Sequence, residues 1–188
     1  MADIVLDRYS KRCNGPFVNI EAIIEDCGIT PIPRRGIRKL VNGYAPKDPR
    51  FIVIDETYAA YPPMYRAILA EEFCHIYLEY DLLNSELPSD AHPHVMTFQQ
   101  YKIIEGDAQY LSRALLMPKR EFAKRWEVHF NSAPEDKRHS ADMRLIYCAE
   151  VLENEFRLWP LLIAYRARDL KIISEDECST CFSSRIRM

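Results

Sequence analysis

The sequence predicts an α+β fold, dominated by helices, with a small sheet in the N-terminal third. Three observations predict it. Residues 64–83 and 97–116 are long, apolar-patterned stretches joined by a polar loop, and both are too long for strands. I-R-K-L-V-N-G-Y (37–44) and R-F-I-V-I-D-E-T (50–57) have strand composition and flank the proline-bearing turn A-P-K-D-P. Beyond Pro118 the patterned segments are all helical.

Taken in order, residues 17–28 read as a short helix, because Ile20, Ile23, Ile24 and Cys27 recur at three- and four-residue steps and Gly28 stops it. The stretch with Pro31 and Pro33 reads as a connector before the two strands. Pro62-Pro63 falls where proline is tolerated, just before or inside the first turn of the helix from about Met64 to Leu83. The loop N-S-E-L-P-S-D-A-H-P-H follows. The helix from about Thr97 to Leu116 ends at Met117-Pro118. Residues 119–130 form a third helix, residues 131–140 are linker-like, and helices are expected over about Ala141 to Phe156 and Trp159 to Lys171. The polar last 17 residues are expected to be loosely held. This organisation divides into a core over 1–130, a helical pair over 131–175 that completes the core or docks a partner, and a flexible tail over 176–188.

Composition narrows the function. At 188 residues and 48% hydrophobic, the chain can build one real core. A net charge of −3 gives no reason to expect nucleic acid as the main partner. No apolar run is long enough to span a bilayer, and the mixed-charge start is not a signal peptide. A cytoplasmic protein without a membrane partner is expected, its six cysteines mostly reduced. No G-x-G-x-x-G, G-x-x-x-x-G-K-[ST] or G-x-S-x-G is present, which argues against nucleotide binding and serine hydrolase chemistry. Cys178-Ser-Thr-Cys181 is a lone C-x-x-C without the second ligand pair a zinc knuckle needs. Arg157, Arg166, Arg168 and Lys171 give the last helices a locally basic end, but without a wider basic surface DNA contact is disfavoured.

The chemistry concentrates in A-E-E-F-C-H, Ala70 to His75. With His at position 71 it would be the zinc peptidase signature H-E-x-x-H. On a helix, residues i and i+4 share a face, so Glu71 and His75 project side by side, with Glu72 flanking them. A carboxylate oxygen is a legitimate zinc ligand, although it adds negative charge and softens the preference for zinc over harder ions. A third ligand is available in E-G-D-A-Q-Y-L-S-R-A-L-L-M-P. There Glu105 sits beside the apolar stripe of Ile104, Ala108, Leu111 and Leu115, where an unpaired carboxylate is costly. The candidate set is Glu71, His75 and Glu105 around one divalent ion, zinc first with manganese or iron left open, and Glu72 as general base. Asp107 is a rival to Glu105 on a different face. His92 and His94 offer a replacement ligand from the loop, a pattern more often simple turn chemistry. The bland reading of Glu71, Glu72, His75 and Glu79 is the solvated face of an amphipathic helix. Tyr77 and Tyr80 read as packing or surface residues, and His129 and His139 as surface residues.

These two segments, in this order after a short helix and a small sheet, resemble the ImmA/IrrE-type metallopeptidases. That family pairs an H-E-x-x-H helix with E-x-x-A-N-x-F-A-x-x-L-L-M-P. Glu105, Ala108, Leu115, Leu116, Met117 and Pro118 match the second motif in register. The resemblance spans about Phe17 to Phe130, and more weakly the helices up to about Lys171. It implies a zincin-like domain in which His75 and Glu105 are ligands and Glu72 is the base. It also implies a repressor-type, helix-turn-helix transcription regulator as protein substrate. The chain departs from the family pattern in three respects. Glu71 stands at the first zinc-histidine position, Gln109 replaces the usual Asn, and Leu111-Ser112 replaces Phe-Ala. A Gln can donate to a carboxylate, so Gln109 beside Glu71 is chemically coherent. Ile52, Val53 and Ile54 are expected to bind substrate as an added strand. The competing reading is a catalytically inactive member of the fold that binds a repressor or other partner.

Overall fold

Pro31 and Pro33 belong to a strand rather than a connector. In the computed structural model, which describes residues 2–37, 43–46, 48–85 and 98–182, β3 (Thr30–Arg34) pairs in parallel with β5 (Phe51–Asp55). β4 (Gly43–Tyr44) pairs antiparallel on the other side, giving the order β3–β5–β4. Proline is tolerated because β3 is an edge strand. Thr30 turns its N–H to the Arg50 carbonyl at 2.8 Å, and Pro31 and Pro33, at the opposite parity, place their missing donors on the open side. Residues 38–42 and 47, which fall in the first expected strand and the turn after it, lie outside the described residues.

The chain gathers into two units. Residues 19–112 make up the first, while residues 3–18 join 113 onward in the second. In the first, α2 (Ile20–Asp26) starts at Asn19, whose side chain accepts from the Ala22 N–H at 3.1 Å, and ends before Gly28 at φ +73°. Ile52, Val53 and Ile54 of β5 are buried. Asp55 then closes a 3-10 turn over Glu56–Ala60, accepting from the Thr57 N–H at 3.0 Å and the Thr57 hydroxyl at 2.7 Å. The turn delivers the chain into α3 (Pro62–Ser85), with both prolines in its first turn, where no intrahelical donor is needed. α3 packs on β5, β4 and α2 through Ile68, Leu69, Ala70, Phe73 and Cys74, all buried. Each large apolar side chain so buried contributes about 1.5–3 kcal/mol. α4 (Phe98–Leu116) is the second long helix, with Ala108, Leu111 and Leu115 buried and Ile104 half-buried.

The second unit begins with α1 (Ala2–Arg8) and a hairpin of β1 (Cys13–Asn14) and β2 (Phe17–Val18), turned at Gly15 with φ +60°. It continues with α5 (Lys119–Asn131), a single turn α6 (Glu135–Arg138), α7 (Ala141–Phe156), α8 (Pro160–Asp169) and α9 (Glu175–Phe182). α7 is its centre, packed against α5, α6, α8, α9 and β2. Phe122 stacks near Trp126 and Phe156, at ring distances of 5.9 and 5.7 Å. The Arg113 guanidinium donates to the Asp169 carboxylate at 2.7 Å in a buried ion pair, and Arg166 donates to the Met117 carbonyl at 3.0 Å.

The loosely held tail expected over the last 17 residues is corrected in part. The Ser174 hydroxyl accepts from the Glu177 N–H at 3.1 Å and the Glu177 carboxylate accepts from the Ser174 N–H at 2.7 Å. This reciprocal cap starts α9, which buries Cys178, Cys181 and Phe182. Residues 183–188 lie outside the described residues.

His129, expected on the surface without a partner, is instead 2.8 Å from Glu155, which also accepts from Arg125 at 2.8 Å. Burial alone would raise the Glu155 carboxyl, but the bonds from Arg125 and His129 outweigh it and hold the group below its ordinary value. A depressed folded-state value contributes stability above the unfolded value and loses it as pH falls through the folded one. Glu155→Gln is therefore expected to cost about 1 kcal/mol at neutral pH. That gap should close as the solution is taken below the carboxylate range. Urea midpoints of both proteins at neutral and acid pH check this, and a gap unchanged in acid contradicts it.

Candidate metal centre

Two helices of the first unit bring the candidate ligands together. Glu71 and His75 stand one turn apart on α3, and Glu105 and Gln109 one turn apart on α4. One possible ligand atom from each of Glu71, His75 and Glu105 lies within 4.8 Å of the other two. His75 Nε2 and Glu105 Oε2 are 3.4 Å apart. Ligands about 2.1 Å from a tetrahedral zinc are about 3.4 Å from one another, so this pair already has a suitable spacing. Gln109 Nε2 is 3.2 Å from both Glu71 Oε1 and Glu105 Oε1. Two carboxylate acceptors fix the amide's orientation, since only its NH2 side can donate.

The electrostatics fit a cation. Burial raises Glu71 above its ordinary value, the Gln109 bond opposes that rise, and the neighbouring Glu105 adds to it. Burial likewise pushes Glu72 up to about 7, against the lowering effect of His75. Glu71 and Glu72, crowded with a third carboxylate beside one imidazole in a half-buried patch, resist ionisation unless a positive ion compensates. The donor set of two carboxylates and one imidazole suits a divalent ion of borderline character.

Glu72, one residue round the helix, faces β4 and accepts from the Ala45 N–H. The approach depends on Gly43. A Cβ there would lie 2.8 Å from Ile68 Cγ2, 3.0 Å from the Val53 carbonyl and 3.4 Å from Glu72 Cγ. Neither Gly43 nor Ala45 was among the candidates read from the sequence. The available signal was a glycine inside a strand pattern, which marks close backbone approach.

Other candidates fall elsewhere. Substrate addition at Ile52, Val53 and Ile54 is not compatible with the sheet, because β5 is its central strand, paired on both sides, and those side chains are buried. Among the described residues the sheet edge nearest Glu72 belongs to β4. Asp107 is exposed and outside the cluster, and Tyr77 is 41% exposed. His92 and His94 lie outside the described residues, as do the side chains of Glu79 and Tyr80. His139 is exposed. Burial pushes both tail thiols up, Cys181 to about 11, so both stay protonated at neutral pH.

A helix-dominated α+β domain with carboxylates and an imidazole converging from two helices beside a small sheet defines a zincin-like, metallopeptidase-type domain. The model of the IrrE N-terminal-like domain family matches residues 19–158, most of the chain, and the protein belongs to that family. No curated protein and no solved structure matches the chain. No described helix is long and apolar enough to cross a membrane.

The Gly43 contacts make a direct prediction. Gly43→Ala should push β4 away from α3 and destabilise the protein by about 1–3 kcal/mol. A thermal unfolding scan checks it, and an unchanged midpoint contradicts the close approach.

Proposed function

We propose that this protein is a metal-dependent endopeptidase acting on a protein substrate. Glu71, His75 and Glu105 hold one divalent ion, zinc in the simplest case, and Glu72 is the general base. The observation that carries this reading is the convergence of those three donors with an amide already bonded to both carboxylates. When bound, the ion supplies Lewis acidity at the scissile carbonyl and lowers the pKa of the attacking water. Glu72 takes the proton from that water and delivers it to the leaving amine. The Ala45 N–H holds the Glu72 carboxylate in orientation. The backbone of β4 offers hydrogen bonds to an extended peptide lying beside the site.

The substrate proposed is a repressor-type transcription regulator of the helix-turn-helix class. Its support is the family resemblance of the E-E-x-x-H helix and the E-G-D-A-Q-Y-L-S-R-A-L-L-M-P segment. Activity in the cytoplasm is part of the same proposal, since a repressor acts there and the cysteines are free thiols. One observation favours a second reading, a binding module without catalysis. Glu71 stands where the zinc-peptidase pattern has an imidazole, and this places a second carboxylate in the ligand set.

Glu72→Gln separates the two. Zinc-loaded protein is incubated with a proteome-derived peptide library, and new N-termini are counted by mass spectrometry. Wild type should cut, and Glu72→Gln should cut about 10²–10⁴-fold more slowly while keeping its zinc. Equal cutting by both proteins removes Glu72 from the mechanism. Zinc-loaded wild type that cuts nothing favours the binding module.

A further inference from the structure

Gln109 touches both carboxylates of the proposed ligand set, which is more than the support of one ligand. Its Nε2 lies 3.2 Å from Glu71 Oε1 and 3.2 Å from Glu105 Oε1. An amide nitrogen has two hydrogens, so these two bonds use its whole donor capacity. The remaining oxygen of Glu105, Oε2, faces His75 Nε2 at 3.4 Å. One oxygen of Glu105 is thus turned to the amide and the other toward the imidazole. Gln109 is four residues from Glu105 on α4, so the helix itself sets the span of the clamp.

We propose that Gln109 limits Glu71 and Glu105 to one metal-binding oxygen each, and so sets a low coordination number that favours zinc over larger, harder ions. This rests on reading Glu71, His75 and Glu105 as ligands. A carboxylate that binds through both oxygens must present both to the ion, and an oxygen held by the amide is not free to turn. Zinc is satisfied by four ligands at about 2.0–2.2 Å, whereas calcium takes six to eight oxygens and gains from chelating carboxylates. Manganese shares the preference for oxygen-rich, octahedral surroundings. Charge points the same way. Two carboxylates balance a dication, and Gln109 supplies donors without a further negative charge, which a Glu at this position would add. Glu72 lies outside the group of three whose possible ligand atoms come together.

The test measures affinities for zinc alone and manganese alone by chelator competition in wild type, Gln109→Met and Gln109→Leu, with folding checked by circular dichroism. Zinc affinity should fall about 10–100-fold in the variants, in the range for loss of a ligand's hydrogen-bond partner. Manganese affinity should fall much less, so the ratio of the two shifts by about tenfold or more. Equal weakening of both metals, or no change, overturns the proposal. X-ray absorption of zinc-loaded wild type tests it without any variant. About four nitrogen and oxygen donors near 2.0–2.1 Å are expected, and a shell expanded by a chelating carboxylate overturns it. If wild type binds neither metal, the ligand reading falls and this inference with it. If wild type binds zinc but the ratio does not move, only this inference falls.

Discussion

Three carboxyls, Glu71, Glu72 and Glu105, are crowded against His75 in a half-buried patch, and that crowding is the constraint around which the first unit is arranged. Half-buried like charges repel one another and resist losing water. The arrangement persists because α3, which carries three of these groups, packs on the sheet and α2, and because hydrogen bonds from Gln109 and Ala45 meet the carboxylates from two sides. A positive ion at the same place would turn an unfavourable collection of charges into a favourable one. This is the physical reason to regard the patch as a site and not as the solvated face of a helix.

The scaffold can be followed inward from that patch. α3 carries Glu71, Glu72 and His75, and buries Ile68, Leu69, Phe73 and Cys74, packing on the sheet and α2. Because burial fixes the helix rotation, the direction in which Glu71 and His75 point is not free to drift. The sheet is built so that its edge strand β4 reaches the helix where Gly43 leaves room, and that contact places the Ala45 N–H against Glu72. The second unit has its own stabilisation, from the aromatic cluster about Phe122 and the buried Arg113–Asp169 pair.

How much of this could be read in the sequence depended on how local the signal was. α3, α4 and α7 announce themselves by apolar residues at three- and four-residue steps. The pairing of Glu71 with His75 follows from helix geometry alone, and Glu105 stood out as a carboxylate beside an apolar stripe. What was not legible depends on contacts distant in sequence. The centrality of β5 is decided by which strands pair with it, so Ile52, Val53 and Ile54 looked like a binding edge when they are buried between β3 and β4. β3 was hidden by prolines that an edge strand accommodates. α9 was hidden by its polarity, although Ser174 and Glu177 carry the pattern of a capped helix start. Gly43 and Ala45 acquire their part only when the strand is laid against α3.

If Glu71, His75 and Glu105 form one working metal site, the purified protein should carry a metal that loss of either His75 or Glu105 removes. Elemental mass spectrometry on untagged protein, compared with His75→Ala and Glu105→Ala, should find about one equivalent of zinc in the wild type and little in either variant. Wild-type protein that takes up no metal, even after zinc or manganese is added, would contradict the account and mark the cluster as a remnant of such a site.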